Sequence, residues 1–148
     1  MSVSSAHCVL NTSCNLGESP VWDSRNDTLY SVDIALKRIH VFVPATGLHR
    51  VLQLGEAVGT VLLSSDPTQL IAALERDVVV VDAQTGSILS TLASTPEEHG
   101  LPVDGWRFND GKASPGGQLV VGRHATLQSS IKHLSLCCRN KPRAVVTQ

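Results

Sequence analysis

The chain has 148 residues, 42% of them apolar and 17% charged, with a formal net charge of −1 at pH 7. That length holds one domain with a real core and is too short for two ordinary ones, and the apolar fraction excludes a disordered tail. The near-neutral charge and 3% aromatic content leave no basic footprint or stacking platform for nucleic acid, and no apolar run reaches the roughly 20 residues that span a bilayer. In chain order, the opening "MSVSSAHCVLNTSCNLG" lacks the basic start and apolar core of a signal peptide. Cys8, Cys14, Cys137 and Cys138 have neither Cys-x-x-Cys spacing nor the density of a disulfide scaffold, so they read as free thiols in a reducing cytoplasm. The Asn-x-Ser/Thr triplets at Asn11 and Asn26 would matter only in a secreted protein.

Next comes "NLGESPVWDS" (15–24), which places a lone carboxylate, Glu18, just before an apolar strand. Taken alone, these ten residues favour a solvated loop end over a metal ligand at a strand mouth. Beyond them the pattern is short and β-branched: "TLYSVDI" (28–34), "RIHVFV" (38–43), "VVVVD" (78–82) and "QLVVG" (118–122), each bounded by turn residues. No stretch of a dozen residues carries a capped i, i+3, i+4, i+7 stripe, so helices are expected to be few or absent.

The segments also recur. "VWDSRNDTLYSVDI", "LSSDPTQLIAAL" and "KASPGGQLVVG" each run from a polar turn into an apolar strand, opened by Leu29, Leu70 and Leu119 at intervals of 41 and 49 residues. "IHVFVPATG" and "VVVVDAQTG" end in Thr46-Gly47 and Thr85-Gly86, 39 residues apart. A period near 40–50 built from short strands is the signature of β-propeller blades, and two phrases repeating in the same order favour it over a β-sandwich with similar hairpins. Residues 16–55 then make one blade, 56–100 a second, and 101–124 the opening of a third. Propellers close with 4–8 blades, so about two and a half blades leave open faces and strand edges that suit self-association. Residues 125–148 break the pattern and read as a divergent, poorly ordered tail in place of further blades, as a splice variant or shifted reading frame would give.

Taken together, "LGESPVWD", "LYSVDI", "PATG", "DAQTG" and "WRFNDGKASPGGQLVVG" resemble the senescence-marker-protein / gluconolactonase / luciferin-regenerating-enzyme family, of which regucalcin is a member. The resemblance runs from about residue 8 to residue 124. It implies an all-β fold, the first half of a six-bladed β-propeller of about 270 residues at ~45 per blade. It also implies hydrolysis of sugar lactones such as glucono-1,5-lactone with one divalent metal ion (Ca2+, Zn2+, Mn2+ or Mg2+) at the mouth of the central channel.

In the family the metal ligands are a Glu of the first blade and an Asn and an Asp of later blades, and Glu18 stands at the position of that Glu. Arg107 and Asn109 of "WRFNDG" stand at positions that bind the substrate's hydroxyls or lactone oxygens, while Asp110 suits a turn. The family metal polarises the lactone carbonyl as a Lewis acid, and the ligating Asp is the general base. Asn and Asp both belong to later blades, so this chain offers one metal ligand and no assigned catalytic residue. The expectation is a lactonase-family chain that is inactive or impaired by itself. The alternatives are a non-catalytic isoform acting by association and a calcium-binding regulatory protein. The chain departs from the family pattern at Ser114-Pro115, commonly Asp-Pro, and at Gly122-Arg123-His124, often Gly-Thr-Met.

Other constellations carry less. Six histidines form no His-x-x-x-His or His/Cys cluster with metal spacing; His40 falls on a strand and His49 in a turn, both structural or solvated. There is no Gly-x-Ser-x-Gly elbow. Gly116-Gly117 reads as a hairpin turn rather than a phosphate loop, which would have to open a helix. Glu97-Glu98 read as a solvated loop, and Trp22 and Trp106 as packing residues.

Overall fold

The computed structural model describes residues 5–95, 106–125 and 136–137. They form strands β1 (Gly17–Asp23), β2 (Thr28–Asp33), β3 (Arg38–Val43), β4 (Leu48–Gln53), β5 (Thr60–Leu63), β6 (Gln69–Ala73), β7 (Asp77–Asp82), β8 (Ile88–Ser94), β9 (Trp106–Ala113), β10 (Leu119–Ala125) and β11 (Leu136–Cys137). Among the described residues there is no helix. The strands are antiparallel meanders in chain order: β1–β4, β5–β8, and β9–β11. β11 adds two residues to the outer side of β10. Most of the tail assigned above, like Glu97-Glu98, lies outside the described residues.

Turn chemistry sets the meanders. Gly47 and Gly86 take φ of 70° and 79°, and each donates its N–H back to the end of the preceding strand, Gly47 to Val43 at 3.0 Å and Gly86 to Asp82 at 2.9 Å. A left-handed residue at this point is what glycine permits without strain. Gly117, at φ 76°, closes the β9–β10 hairpin by donating to Ser114 O at 2.9 Å.

The three sheets are stacked so that their first strands neighbour one another, β1 beside β5 and β5 beside β9. Side chains alternate across each pleat. Tyr30, Val32, Ile39, Val41 and Leu52 of the first sheet meet Val61, Leu70, Ala72, Val79 and Val81 of the second. The other face of the second sheet, with Leu62, Ile71, Ala73 and Val78, meets Phe108, Leu119 and Val121 of the third. Covering on both faces explains why "VVVVD" is a continuous apolar run and not an alternation.

Two arginines tie the first sheet to the second. Arg25 grips both oxygens of Asp23 at 2.8 Å and donates to Ser64 O at 2.7 Å. Arg50 donates to Ala83 O and Gln84 O at 2.7 and 2.8 Å. Sequential four-stranded meanders arranged around their first strands are the blade architecture of a β-propeller.

Candidate functional site: the mouth formed by the first strands

Glu18 lies near the start of β1, where the ladder is interrupted. Glu18 pairs with Val32 and Val21 with Tyr30, so Ser19 and Pro20 together face Ser31 alone. This is a β-bulge, a device that bends a strand and re-aims its side chains. Ser19 carries the left-handed φ of 50°, and Pro20 brings no N–H to the ladder. The Ser19 hydroxyl makes up for the lost pairing by reaching the second sheet: it lies 2.8 Å from Thr60 Oγ1 and accepts the Val61 N–H at 3.1 Å. The half-buried Glu18 is thus held on a bulge pinned to β5.

β9 repeats the device. Gly111 pairs with Val121 and Phe108 with Arg123, leaving Asn109 and Asp110 opposite Gly122. The "NDG" stretch is therefore a bulge inside a strand, not the turn expected for Asp110; that carboxylate accepts the N–H of Gly111 at 2.8 Å. Glu18 and Asn109 thus both stand at bulges of first strands.

Between them, Gly59 leads into β5. A Cβ there would overlap the Phe108 carbonyl and lie 2.8 Å from Asn109 O. The missing side chain lets the second sheet approach the third at the level of the site. Thr60, fully buried, follows.

Arg107 donates from Nη1 to Asn109 Oδ1 at 2.7 Å and to Phe108 O at 3.0 Å. The first bond takes up the amide oxygen, so the donors that Asn109 has to offer a ligand are those of its NH2. Burial lowers the Arg107 pKa, while the charge of Glu18 opposes that shift. Glu18 is therefore within electrostatic range, but among the described residues the contact ion pair is Arg25–Asp23. Arg107 and Asn109 touch, and Glu18 stands across a gap from them. Arg123, one of the departures from the family pattern, lies over the Trp106 ring with its guanidinium carbon 5.4 Å from the centroid.

As a metal site these first strands offer, among the described residues, the Glu18 carboxylate, with the Asn109 oxygen already engaged by Arg107 and the Asp110 carboxylate accepting the N–H of Gly111. A hard cation such as Ca2+ takes 6–8 oxygens, and even catalytic Zn2+ keeps about three protein ligands. The described residues do not complete such a site.

Several residues not singled out in the sequence matter here. Asp33, at the end of β2, accepts the N–H groups of Asn15 at 2.9 Å, Leu36 at 3.1 Å and Leu16 at 3.2 Å, fixing the segment that leads to Glu18. His49 lies on β4, not in a turn, and pairs its Nε2 with His40 Nδ1 at 3.0 Å. Cys14 Sγ lies 3.4 Å from His40 Nε2. No local motif joins residues 14, 33, 40 and 49; the β2–β3–β4 register brings them together.

Fold and site together define a β-propeller protein with polar residues at bulges of its first strands. The chain belongs to the SMP-30/Gluconolactonase/LRE-like family, whose model matches residues 16–143. It is 36% identical over 117 residues to 6-deoxy-6-sulfogluconolactonase of Pseudomonas putida, covering 78% of this chain and 38% of that protein. It is 33% identical over 115 residues to pentonolactonase XacC of Haloferax volcanii, covering 77% and 36%. Regucalcin of Xenopus laevis is 30% identical over 122 residues, covering 82% and 39%. Among solved structures, a luciferin-regenerating enzyme matches with a TM-score of 0.66 at 28% identity, covering 76% of this chain and 37% of that one. The calcium-binding protein regucalcin from Agrobacterium tumefaciens matches with a TM-score of 0.67 at 25% identity, covering 76% and 36%. The chain thus spans less than two fifths of the length of these relatives. Among the described residues, no helix is long and apolar enough to cross a membrane.

Proposed function

We propose that this chain contributes the opening blades of a six-bladed sugar-lactone hydrolase, with Arg107 and Asn109 holding the lactone and Glu18 supplying one ligand to a divalent ion. The observation that carries this reading is the shared placement of Glu18 and Asn109 at bulges of first strands, with Arg107 bonded to Asn109 and within the field of Glu18. The names of the two lactonase relatives support the substrate class.

In this reading the Asn109 NH2 donates to ring hydroxyls, and the Arg107 guanidinium, with donors left beyond its two bonds, meets the lactone oxygens. Water opens the ester to the hydroxy acid. The other metal ligands and the general base come from blades that the relatives' additional length provides. On that account the 148 residues alone bind lactone weakly and turn it over poorly or not at all. The reading includes a cytoplasmic setting, which the free thiols of Cys8 and Cys14 suit.

Saturation-transfer NMR on the full chain with glucono-1,5-lactone and its hydrolysis product tests the substrate assignment. Transfer to ligand protons is expected, reduced about tenfold in effective affinity, or ~1.4 kcal/mol, by Arg107→Gln and by Asn109→Ala. Absence of transfer from a folded sample, or transfer untouched by both substitutions, would remove the assignment.

A second reading, a non-catalytic chain that acts by association, draws on the outer strand β8, where Ile88, Leu89 and Leu92 are exposed. A calcium-binding regulatory role has the name of the Agrobacterium relative behind it and only the carboxylate of Glu18 at the mouth.

A further inference from the structure

The face of the first sheet turned away from the second carries a set of side chains that the lactonase reading does not use. Ser31 pairs with His40, and His40 pairs with Val51, two residues from His49 and on the same face. By strand alternation, Asp33 and His40 share that outward face, and the segment before β1 lays Cys14 against it.

We propose that Cys14 Sγ, His40 Nε2 and an oxygen of Asp33 form a binding site for one Zn2+-type ion, separate from the mouth. These three ligand atoms lie within 4.8 Å of one another. Sulfur and nitrogen at about 2.3 and 2.0 Å from a tetrahedral centre stand about 3.5 Å apart; Cys14 Sγ and His40 Nε2 are already 3.4 Å apart. Binding therefore asks mainly for the carboxylate to close in.

The surroundings prepare each ligand. His49 Nε2 lies 3.0 Å from His40 Nδ1, with the two rings stacked at 5.2 Å. A proton on Nδ1 donated to His49 leaves the Nε2 lone pair aimed at Cys14, the outer-shell arrangement that orients metal-bound imidazoles. A metal-bound imidazole is neutral, and burial, followed by the nearby His49, lowers the His40 pKa, with Asp33 opposing.

The three N–H groups on Asp33 are divided as two on Oδ1 and one on Oδ2. A carboxylate has about four lone-pair sites, so Oδ2 keeps one for a metal. Thr12 Oγ1, 3.0 Å from Cys14 Sγ, can donate to a thiolate. Asp33 and His40 are 0% and 4% exposed, so an ion there would lose most of its water. Thiolate and imidazole select Zn2+ over the hard cations Ca2+ and Mg2+, and three protein ligands leave a fourth position for water. On binding, the Cys14 S–H bond is replaced by S–Zn, and the proton passes to solvent.

This site stands independently of the lactonase reading and is tested on the full chain with Co2+ as the spectroscopic probe and Zn2+ as competitor. One equivalent of Co2+ is expected to give a near-ultraviolet thiolate-to-cobalt charge-transfer band, release one proton per ion at Cys14, and be displaced by Zn2+. Cys14→Ser, at a half-exposed position, should abolish the band. His40→Gln should weaken binding at least about tenfold, and His7→Gln, at an exposed position, should leave the titration unchanged. No band with the folded chain, a band surviving Cys14→Ser, or one lost with His7→Gln would each overturn the proposal.

Discussion

Asp33 is fully buried and ionised. Burial pushes its carboxyl up, but the N–H groups of Asn15, Leu36 and Leu16, with His40 beside it, bring it below its ordinary value near 3.8. A carboxyl depressed on folding contributes stability that is fully present above the unfolded value and is lost as pH falls through the folded one. Asp33→Asn places an NH2 against a backbone donor, and a lost charge-assisted bond of this kind costs about 2 kcal/mol. We therefore expect a lower urea midpoint at pH 7 and a difference from the parent chain that shrinks below pH 4. Equal midpoints at pH 7 would show that the clamp contributes nothing. Single residues were only partly legible in the sequence. Glu18 stands out in the sequence because a charge before an apolar strand is unusual, yet its placement within the field of Arg107 depends on bulges in β1 and β9 and on the glycine that leads into β5. Asp33 ends a strand and looked unremarkable; its role depends on backbone groups 17 and 18 residues earlier in the chain. His49 reads as a turn residue in the sequence, whereas the turn ends at Gly47 and β4 starts at Leu48.

The strands themselves were easier to read, since β-branched runs between turn residues are a local signal. "RIHVFV" is β3 residue for residue, and the Thr-Gly phrases close both hairpins. What local pattern could not show is where the ladder breaks. Asn-Asp-Gly favours a turn by its own chemistry, yet it lies within β9, where pairing with β10 and packing on β5 outweigh that preference. The approach of β5 to β9 rests on Gly59. Gly59→Ala would drive a methyl group into the Phe108 carbonyl, and because that obstacle is backbone, the second and third sheets have to separate. Overpacking of this kind costs about 1–3 kcal/mol. A lowered denaturation midpoint is expected, together with loss of amide-exchange protection at Phe108, which otherwise donates to Leu74 O and Glu75 O. Unchanged protection would mean that the approach does not need glycine.

Across the whole molecule, the repeat period and the quoted motifs identified the fold and the family, since a blade is the unit that repeats. The count of about two and a half blades follows from the repeat, whereas closure of a ring is not a local property, because each blade is local while closure depends on every blade together. The described sheets leave apolar side chains in view: Ile88 and Leu89 on β8 are each 51% exposed, and Val120 on β10 is 41% exposed. Among the described residues β8 is an unpaired outer strand, and such side chains on an edge invite pairing. Light scattering is expected to show concentration-dependent association, reduced by Leu89→Lys, which puts a charge on that strand; a monomer at every concentration would contradict this. Activity belongs to the same scale, because among the described residues β1, β5 and β9 bring together no set of donors that completes a divalent-ion site around Glu18. The central claim is a lactone-binding mouth whose metal site these residues leave incomplete. It is tested most directly by a chelator-controlled assay of glucono-1,5-lactone hydrolysis on the purified chain, with its oligomeric state measured in the same sample. The account predicts little or no metal-dependent turnover from a folded monomer. Chelator-sensitive hydrolysis by that monomer, lost in Glu18→Gln, would contradict it.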